Sequence, residues 1–279
     1  QGDGSAQLVA RGEADQAAVV EILQRDLGLA ALPLTLRPQR RVRTAVVPAA
    51  GFGTRLFPAS KATKKELFPV VDRDGIVKPA ILVIVEEALG AGIERVVIVV
   101  QPEDLDAFTS FFNTQVSIEN FNKLSPAFQD YARRIVEIGH QVSFVVQPTQ
   151  QGFGHAVACA RDAVGDAPFL LMLGDHLYRA TGDVSCARQL LDAGERHSTS
   201  VVGLRLTPES DIGCFGAVGG VWEEDGRLLR ITEFAEKPTL DYARSNLVTP
   251  GLDADRFLCV YGQYVLTPGI FTHLQRLIE

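Results

Sequence analysis

A β-branched run, Thr44 to Val47, meets Pro48 and then the string Ala49-Ala50-Gly51-Phe52-Gly53-Thr54-Arg55. The run reads as a buried strand. The string after it restricts the fold most. Small residues and glycines let backbone approach a ligand with no Cβ in the way. Successive backbone N–H groups in such a loop can form a concave anion site. Arg55, Lys61, Lys64 and Lys65 then bring fixed positive charge. A strand, a small-residue loop and clustered cations together indicate a place to hold a polyphosphate at a strand's carboxyl end.

The loop is not one of the commoner phosphate motifs. It lacks the G-K-[ST] ending of a P-loop, and Gly51-x-Gly53 lacks the third glycine of the dinucleotide fingerprint. Downstream, periodicity predicts a helix over Ala80–Leu89 after Pro79, then a strand over Arg95–Val100. Helices over Glu103–Phe112 and Pro126–Ile138 come after it, joined by a polar and aromatic connection, Asn113 to Lys123. Next come a strand at Ser143–Val146, a helix over Gly152–Ala163, a strand at Phe169–Leu173, a helix over Val184–His197 and a strand at Ser200–Leu206. Such alternation argues for parallel neighbours joined by right-handed crossovers. Beyond Pro208 the elements are strands Ala217–Val221, Arg227–Glu233 and Phe257–Leu266, with a hairpin turn at Glu224-Asp225-Gly226 and a closing helix, Gly269–Glu279. The expected fold is α/β: a Rossmann-like, mostly parallel central sheet between helices, with a smaller antiparallel sheet in the last third. Residues 1–41 are expected to form a partly mobile extension with a helix over Ala14–Leu27, and 42–279 one domain.

Three places outside the loop carry candidate chemistry. Asp175 stands where the strand Phe169–Leu173 ends. One carboxylate there suits Mg²⁺, which takes one or two protein oxygens and completes its shell with phosphates and water; it also suits a turn cap. Gln147 comes just after the strand Ser143–Val146, with Gly152 opening the next helix. Its amide offers a donor and an acceptor that can match a uracil edge, or it is a polar loop residue. Glu236-Lys237 sets an acid suited to sugar hydroxyls beside a cation suited to a phosphate, or is a solvated charge pair. In extended backbone the two side chains point apart.

The full string Gly51-x-Gly-Thr-Arg-Leu-x-Pro-x-Ser-Lys61, running on to Lys65-Glu66-Leu67-x-Pro69, resembles without a gap the signature of the sugar-1-phosphate nucleotidyltransferases. Within that family it is most similar to the bacterial-type members that use UTP and glucose 1-phosphate. The resemblance implies an enzyme that makes UDP-glucose and pyrophosphate with Mg²⁺ as cofactor. It implies that Ala49, Ala50, Gly51, Gly53, Gln147 and Gly152 bind the nucleotide. Arg55, Lys65 and Asp175 would act at the triphosphate, Asp175 as the metal ligand. Gly216, Glu236, Lys237 and Gly262 would hold the sugar phosphate in the antiparallel sheet, Lys237 also serving catalysis. Phe215 stands where relatives often carry Tyr before the glycine. The resemblance runs from Val42 to Glu279, and relatives continue beyond the helix matching Gly269–Glu279, so the chain is expected to be short at that end. Another nucleotide or sugar 1-phosphate stays open, as does a related domain that binds sugar nucleotides without turnover. The missing third glycine disfavours a Rossmann oxidoreductase.

Composition sets the remaining bounds. A net charge of −7 argues against non-specific nucleic-acid binding. Cys159, Cys186, Cys214 and Cys259 form no C-x-x-C pair and no disulfide framework, which fits a reducing cytoplasm. No apolar run is long enough to span a bilayer. The partners that the resemblance implies are UTP and glucose 1-phosphate; the composition adds no nucleic acid and no membrane, and a homo-oligomer stays open.

Overall fold

The computed structural model describes residues 41–223 and 226–278. The expected helix over Ala14–Leu27 and the Glu224-Asp225 part of the expected turn lie outside the described residues. In chain order the principal elements are β1 (Thr44–Pro48), β2 (Pro69–Val71), β3 (Val77–Pro79), α1 (Ala80–Gly90), β4 (Arg95–Val100), α2 (Leu105–Asn113), α3 (Pro126–Gly139), β5 (Val142–Val146), α4 (Phe153–Cys159) and β6 (Phe169–Met172). They continue with α5 (Cys186–His197), β7 (Val201–Pro208), β8 (Gly216–Glu223), β9 (Leu228–Glu236), α6 (Leu240–Asn246), β10 (Arg256–Leu266) and α7 (Gly269–Ile278). The class is α/β, as expected. Two compact units divide these elements. One comprises Thr44–Val164 with Leu173–Leu177; the other takes Gly165–Met172 and the chain from Tyr178 on.

The first unit is built on parallel strands in the order β5-β4-β1, with Val47 beside Ile98 and Ile98 beside Phe144. β1 and β4 are apolar at successive positions because parallel strands are covered on both faces. Helix α1 is apolar almost all round and buries Ile81, Leu82, Ile84, Val85 and Ala88. Helix α3 starts in the favoured way: Pro126 fills its first turn and the Ser125 hydroxyl accepts from the Phe128 N–H. Its end passes close to α2, since a Cβ on Gly139 would lie 2.3 Å from the Phe112 carbonyl oxygen.

In the second unit β10 is the hub. It pairs antiparallel with β6, β7 and β8, and β8 pairs antiparallel with β9. Between Val260 and Tyr264 its register against β7 shifts, and Gly262 sits in that shift with φ 78°. A bulge of this kind wants a left-handed residue, which glycine supplies without a Cβ clash. Val202, Leu204, Val218, Leu229, Ile231, Phe234 and Leu258 form an apolar cluster in this unit.

Several elements differ from the sequence expectation. The expected helix over Gly152–Ala163 breaks at Ala160 into α4 and a short turn, Arg161–Val164, because the Ala160 N–H bonds back to Val157 and tightens the last turn. The helix expected from Glu103 begins as a 3-10 turn, Pro102–Asp104. The connection Asn113 to Lys123 holds a helical turn, Ile118–Phe121, capped by Ser117. A hairpin, β2 with β3, surrounds the turn at Asp74-Gly75. It is held by Lys78, whose buried ammonium lies 2.5 Å from Asp72, 2.8 Å from Asp74 and 2.8 Å from Glu86.

Candidate active site

In the first unit the chain leaves β1 into the small-residue loop. The Ala49 N–H bonds the Val99 carbonyl at 2.7 Å, which extends the β1–β4 ladder into the loop. The buried Gln101 amide donates to the Ala50 carbonyl. Gly53 takes φ 73° and opens a 3-10 turn, Thr54–Leu56. Glycine adopts this left-handed conformation without a Cβ clash, and two residues on Arg55 is exposed.

Lys65 runs back beneath this loop. A Cβ on Gly51 would lie 3.4 Å from the Lys65 Nζ, and one on Gly53 3.3 Å from its Cδ. The ammonium ends 2.7 Å from Asp175 Oδ2 and 3.5 Å from Glu66 Oε1. Asp175 therefore meets Lys65 although 110 residues separate them. Gly174 makes this approach possible: a Cβ there would stand 2.7 Å from the Pro48 carbonyl oxygen. Burial alone would raise the Asp175 carboxyl, but the Lys65 hydrogen bond and charge outweigh it and hold it below the ordinary value. Glu66 is fully buried, and neither of its oxygens has a hydrogen-bond partner among the described residues. Burial, only partly offset by the Lys65 charge, pushes its carboxyl up to about 7.

Not every cation of the loop is available. Lys64, grouped by sequence with Arg55 and Lys65, pairs instead with Asp104 at 2.7 Å and fixes the start of α2. Arg55 and Lys61 stay exposed.

Gln147 lies at the carboxyl end of β5, and its N–H bonds the Val100 carbonyl at 2.8 Å. It is buried rather than a surface loop residue. Its amide nitrogen donates to the Gly152 carbonyl at 3.2 Å and lies 2.9 Å from His155 Nδ1. Gly152 precedes α4 with φ 91°, a conformation that favours glycine.

The second unit holds the other group. Gly216 and Glu236 are paired across β8 and β9, and a Cβ on Gly216 would come within 2.9 Å of Glu236 Oε2 and the Phe234 ring. Lys237 adopts φ 45°, and its N–H bonds the Phe215 carbonyl at 3.1 Å. The backbone is therefore not extended at this pair. The two side chains, expected to diverge, come together instead, with Lys237 Nζ 3.6 Å from Glu236 Oε1. A non-glycine residue in the left-handed region costs of the order of 1 kcal/mol and clusters at functional sites. The Gly262 carbonyl accepts from the Tyr178 hydroxyl at 2.7 Å, which anchors the bulge of β10.

Sequence patterning passes over Gln101, His155 and Tyr178. A signal existed for Gln101, which succeeds β4 directly as Gln147 succeeds β5; none existed for His155 or Tyr178.

A parallel β–α unit whose first loop lays backbone over a lysine, with Asp175 closing on that lysine, has the cation and close backbone that a phosphate-handling site needs. The chain belongs to the nucleotidyl transferase family, whose model matches residues 44–279. It is 34% identical over 238 residues to the UTP--glucose-1-phosphate uridylyltransferase of Bacillus subtilis (strain 168), covering 85% of this chain and 74% of that protein. A crystal structure of UDP-glucose pyrophosphorylase complexed with UDP-glucose superposes with a TM-score of 0.67 at 29% identity, covering 84% of this chain and 79% of that one. The UTP-bound UGPase from Acinetobacter baumannii gives a TM-score of 0.66 at 28% identity, over 83% and 76%. Among the described residues no helix is long and apolar enough to cross a membrane.

Proposed function

We propose that this chain is a nucleotidyltransferase that makes UDP-glucose and pyrophosphate from UTP and α-D-glucose 1-phosphate. The observation that carries the reading is the Lys65–Asp175 pair, 2.7 Å long, lying directly under the glycine loop. The attacking atom is a phosphate oxygen of the sugar phosphate, already anionic at neutral pH. The chemistry needs alignment and charge neutralisation rather than a general base.

The backbone of Ala49, Ala50, Gly51 and Gly53 is proposed to line the nucleotide, with Gln147 and Gly152 at the base. Arg55 is exposed at the loop's end, where its planar fork can take two phosphate oxygens at once. Lys65 is proposed to transfer its ammonium from Asp175 to the triphosphate and to meet the charge that builds on departing pyrophosphate. In the second unit Glu236 takes sugar hydroxyls and Lys237 the sugar's phosphate, on a turn whose backbone is held by the Lys237 N–H on the Phe215 carbonyl. Gly216 and Gly262 give the sugar room.

Asp175 fits Mg²⁺. Its carboxylate is held ionised, and only one of its oxygens is engaged by Lys65. A single carboxylate plus phosphates and water is the usual Mg²⁺ arrangement. No group of three or more His, Cys, Asp or Glu converges among the described residues, so the phosphates would supply the rest of the shell. Mg²⁺ bound there would neutralise phosphate charge.

The test is pyrophosphate release from the purified protein with UTP, glucose 1-phosphate and Mg²⁺, checked in reverse with UDP-glucose. Release with this pair and not with dTTP or N-acetylglucosamine 1-phosphate supports the reading. UDP-glucose binding by calorimetry without turnover of any pair would make the domain a sugar-nucleotide sensor instead.

A further inference from the structure

Gln147 is oriented by chemistry and not merely by fit. The Gly152 carbonyl can only accept, so the amide atom 3.2 Å from it is the nitrogen. That same nitrogen faces His155 Nδ1 at 2.9 Å. With one hydrogen on the Gly152 oxygen and the other directed at Nδ1, Nδ1 must be the accepting nitrogen of the ring. The ring proton then resides on Nε2, which points one helical turn on to the Cys159 sulfur at 3.8 Å. Burial keeps that thiol protonated by pushing its pKa up, so the sulfur is a neutral, weak acceptor. Both amide hydrogens of Gln147 are thereby committed. Its Oε1 has no hydrogen-bond donor among the described residues.

We infer that His155 is a positioning residue that sets base specificity, by locking the Gln147 amide so that it offers the base an acceptor and no donor. Uracil carries an N3–H that matches this acceptor. Cytosine carries a bare N3 in the same place, an acceptor set against an acceptor. Without His155, one amide hydrogen loses its partner and the amide gains freedom to turn its NH₂ toward the ring. The lock does not read the 5-methyl group or the ribose, so it separates UTP from CTP but not from dTTP. The fold supplies the lock locally. Gly152, at φ 91°, is the residue just before α4, and its carbonyl takes the Ala156 N–H at 3.2 Å while it also receives the glutamine. His155 is in the first turn of the same helix.

This inference rests on the proposed nucleotide reading, and two readouts separate them. Nucleotide binding is measured by calorimetry for UTP and CTP, and turnover by pyrophosphate release for the same pair. The proteins are the wild type, His155→Ala, His155→Asn, Gln147→Ala and the double variant His155→Ala/Gln147→Ala. The wild type is expected to prefer UTP. His155→Ala is expected to lower the UTP-to-CTP preference by about tenfold or more, the scale on which unmatched buried hydrogen-bond groups discriminate. His155→Asn, whose side-chain oxygen can stand near the Nδ1 position, is expected to restore most of it. The double variant should match Gln147→Ala alone, because His155 acts through Gln147. His155 is half-buried on a helix, so alanine is compatible with the fold, and a thermal melt checks it. A preference unchanged in His155→Ala but lost in Gln147→Ala overturns the inference, as does a wild type that binds CTP as well as UTP. If UTP preference and its dependence on His155 hold in binding while no variant releases pyrophosphate, the lock stands and the transferase reading fails.

Discussion

At the residue scale the site turns on one short ion pair and one buried acid. Asp175 and Lys65 meet at 2.7 Å at a partly exposed position, where such a pair adds about 1 kcal/mol or less to stability. Asp175→Asn is therefore expected to melt near the wild type. Its turnover at saturating Mg²⁺ should fall by about a hundredfold or more, the usual cost of removing one preorganised electrostatic group. Normal turnover in this variant would reduce Asp175 to a structural partner of Lys65. Glu66 makes the opposite case. Its folded pKa, about 7, lies above the ordinary value of 4.5, so the native state holds the proton more tightly than the unfolded chain. Its contribution to stability is whole below pH 4.5, and it is lost as pH rises through 7. Thermal melts of wild type and Glu66→Gln across pH 5 to pH 8 should show the wild type losing ground steadily, while the glutamine side chain contributes equally throughout. Parallel curves would mean that the buried carboxyl does not titrate.

At the element scale, the carboxyl end of β1 and the Leu173–Leu177 segment approach so closely that only glycine fits between them. A Cβ at Gly174 would stand 2.7 Å from the Pro48 carbonyl oxygen and 3.2 Å from Glu66 Cγ. The oxygen belongs to the backbone and cannot rotate away. Gly174→Ala is thus expected to cost about 1–3 kcal/mol in a denaturant titration. Turnover should fall with it, because the same contact carries Asp175 toward Lys65; a variant as stable as wild type would show that the loop yields freely. The strands and long helices of this unit were legible in the sequence, since buried parallel strands and apolar helices leave continuous or periodic apolar runs. The break at Ala160, the β2–β3 hairpin around Lys78 and the turn at Ile118–Phe121 were not. They depend on ion pairs, caps and tightened last turns, which leave no period to read.

At the scale of the whole molecule, the proposed contacts for the two substrates belong to different compact units, with Ala49 to Lys65, Gln147 and Asp175 in one and Gly216, Glu236, Lys237 and Gly262 in the other. Variants are therefore expected to sort by substrate. Lys237→Gly removes the ammonium while accepting the left-handed turn at φ 45°. Its KM for glucose 1-phosphate should rise about tenfold or more, equivalent to losing roughly 1.4 kcal/mol of a charge-assisted contact, while the KM for UTP stays within about twofold. Equal rises for both would remove Lys237 from the sugar phosphate. The sequence by itself determined the α/β class, the β1 strand, the glycine loop and the identity of the ions near it, because these come from local periodicity and from a signature whose spacing has no gaps. Tertiary structure alone decided which cation serves which partner. Lys64 turns to Asp104, Lys65 to Asp175, and Lys237 back onto Glu236, because those choices depend on backbone that arrives from distant parts of the chain or departs from extended geometry. It also decided that Gln147 is buried and held by His155, since an amide's direction is fixed by what its neighbours can accept and not by its place in the sequence.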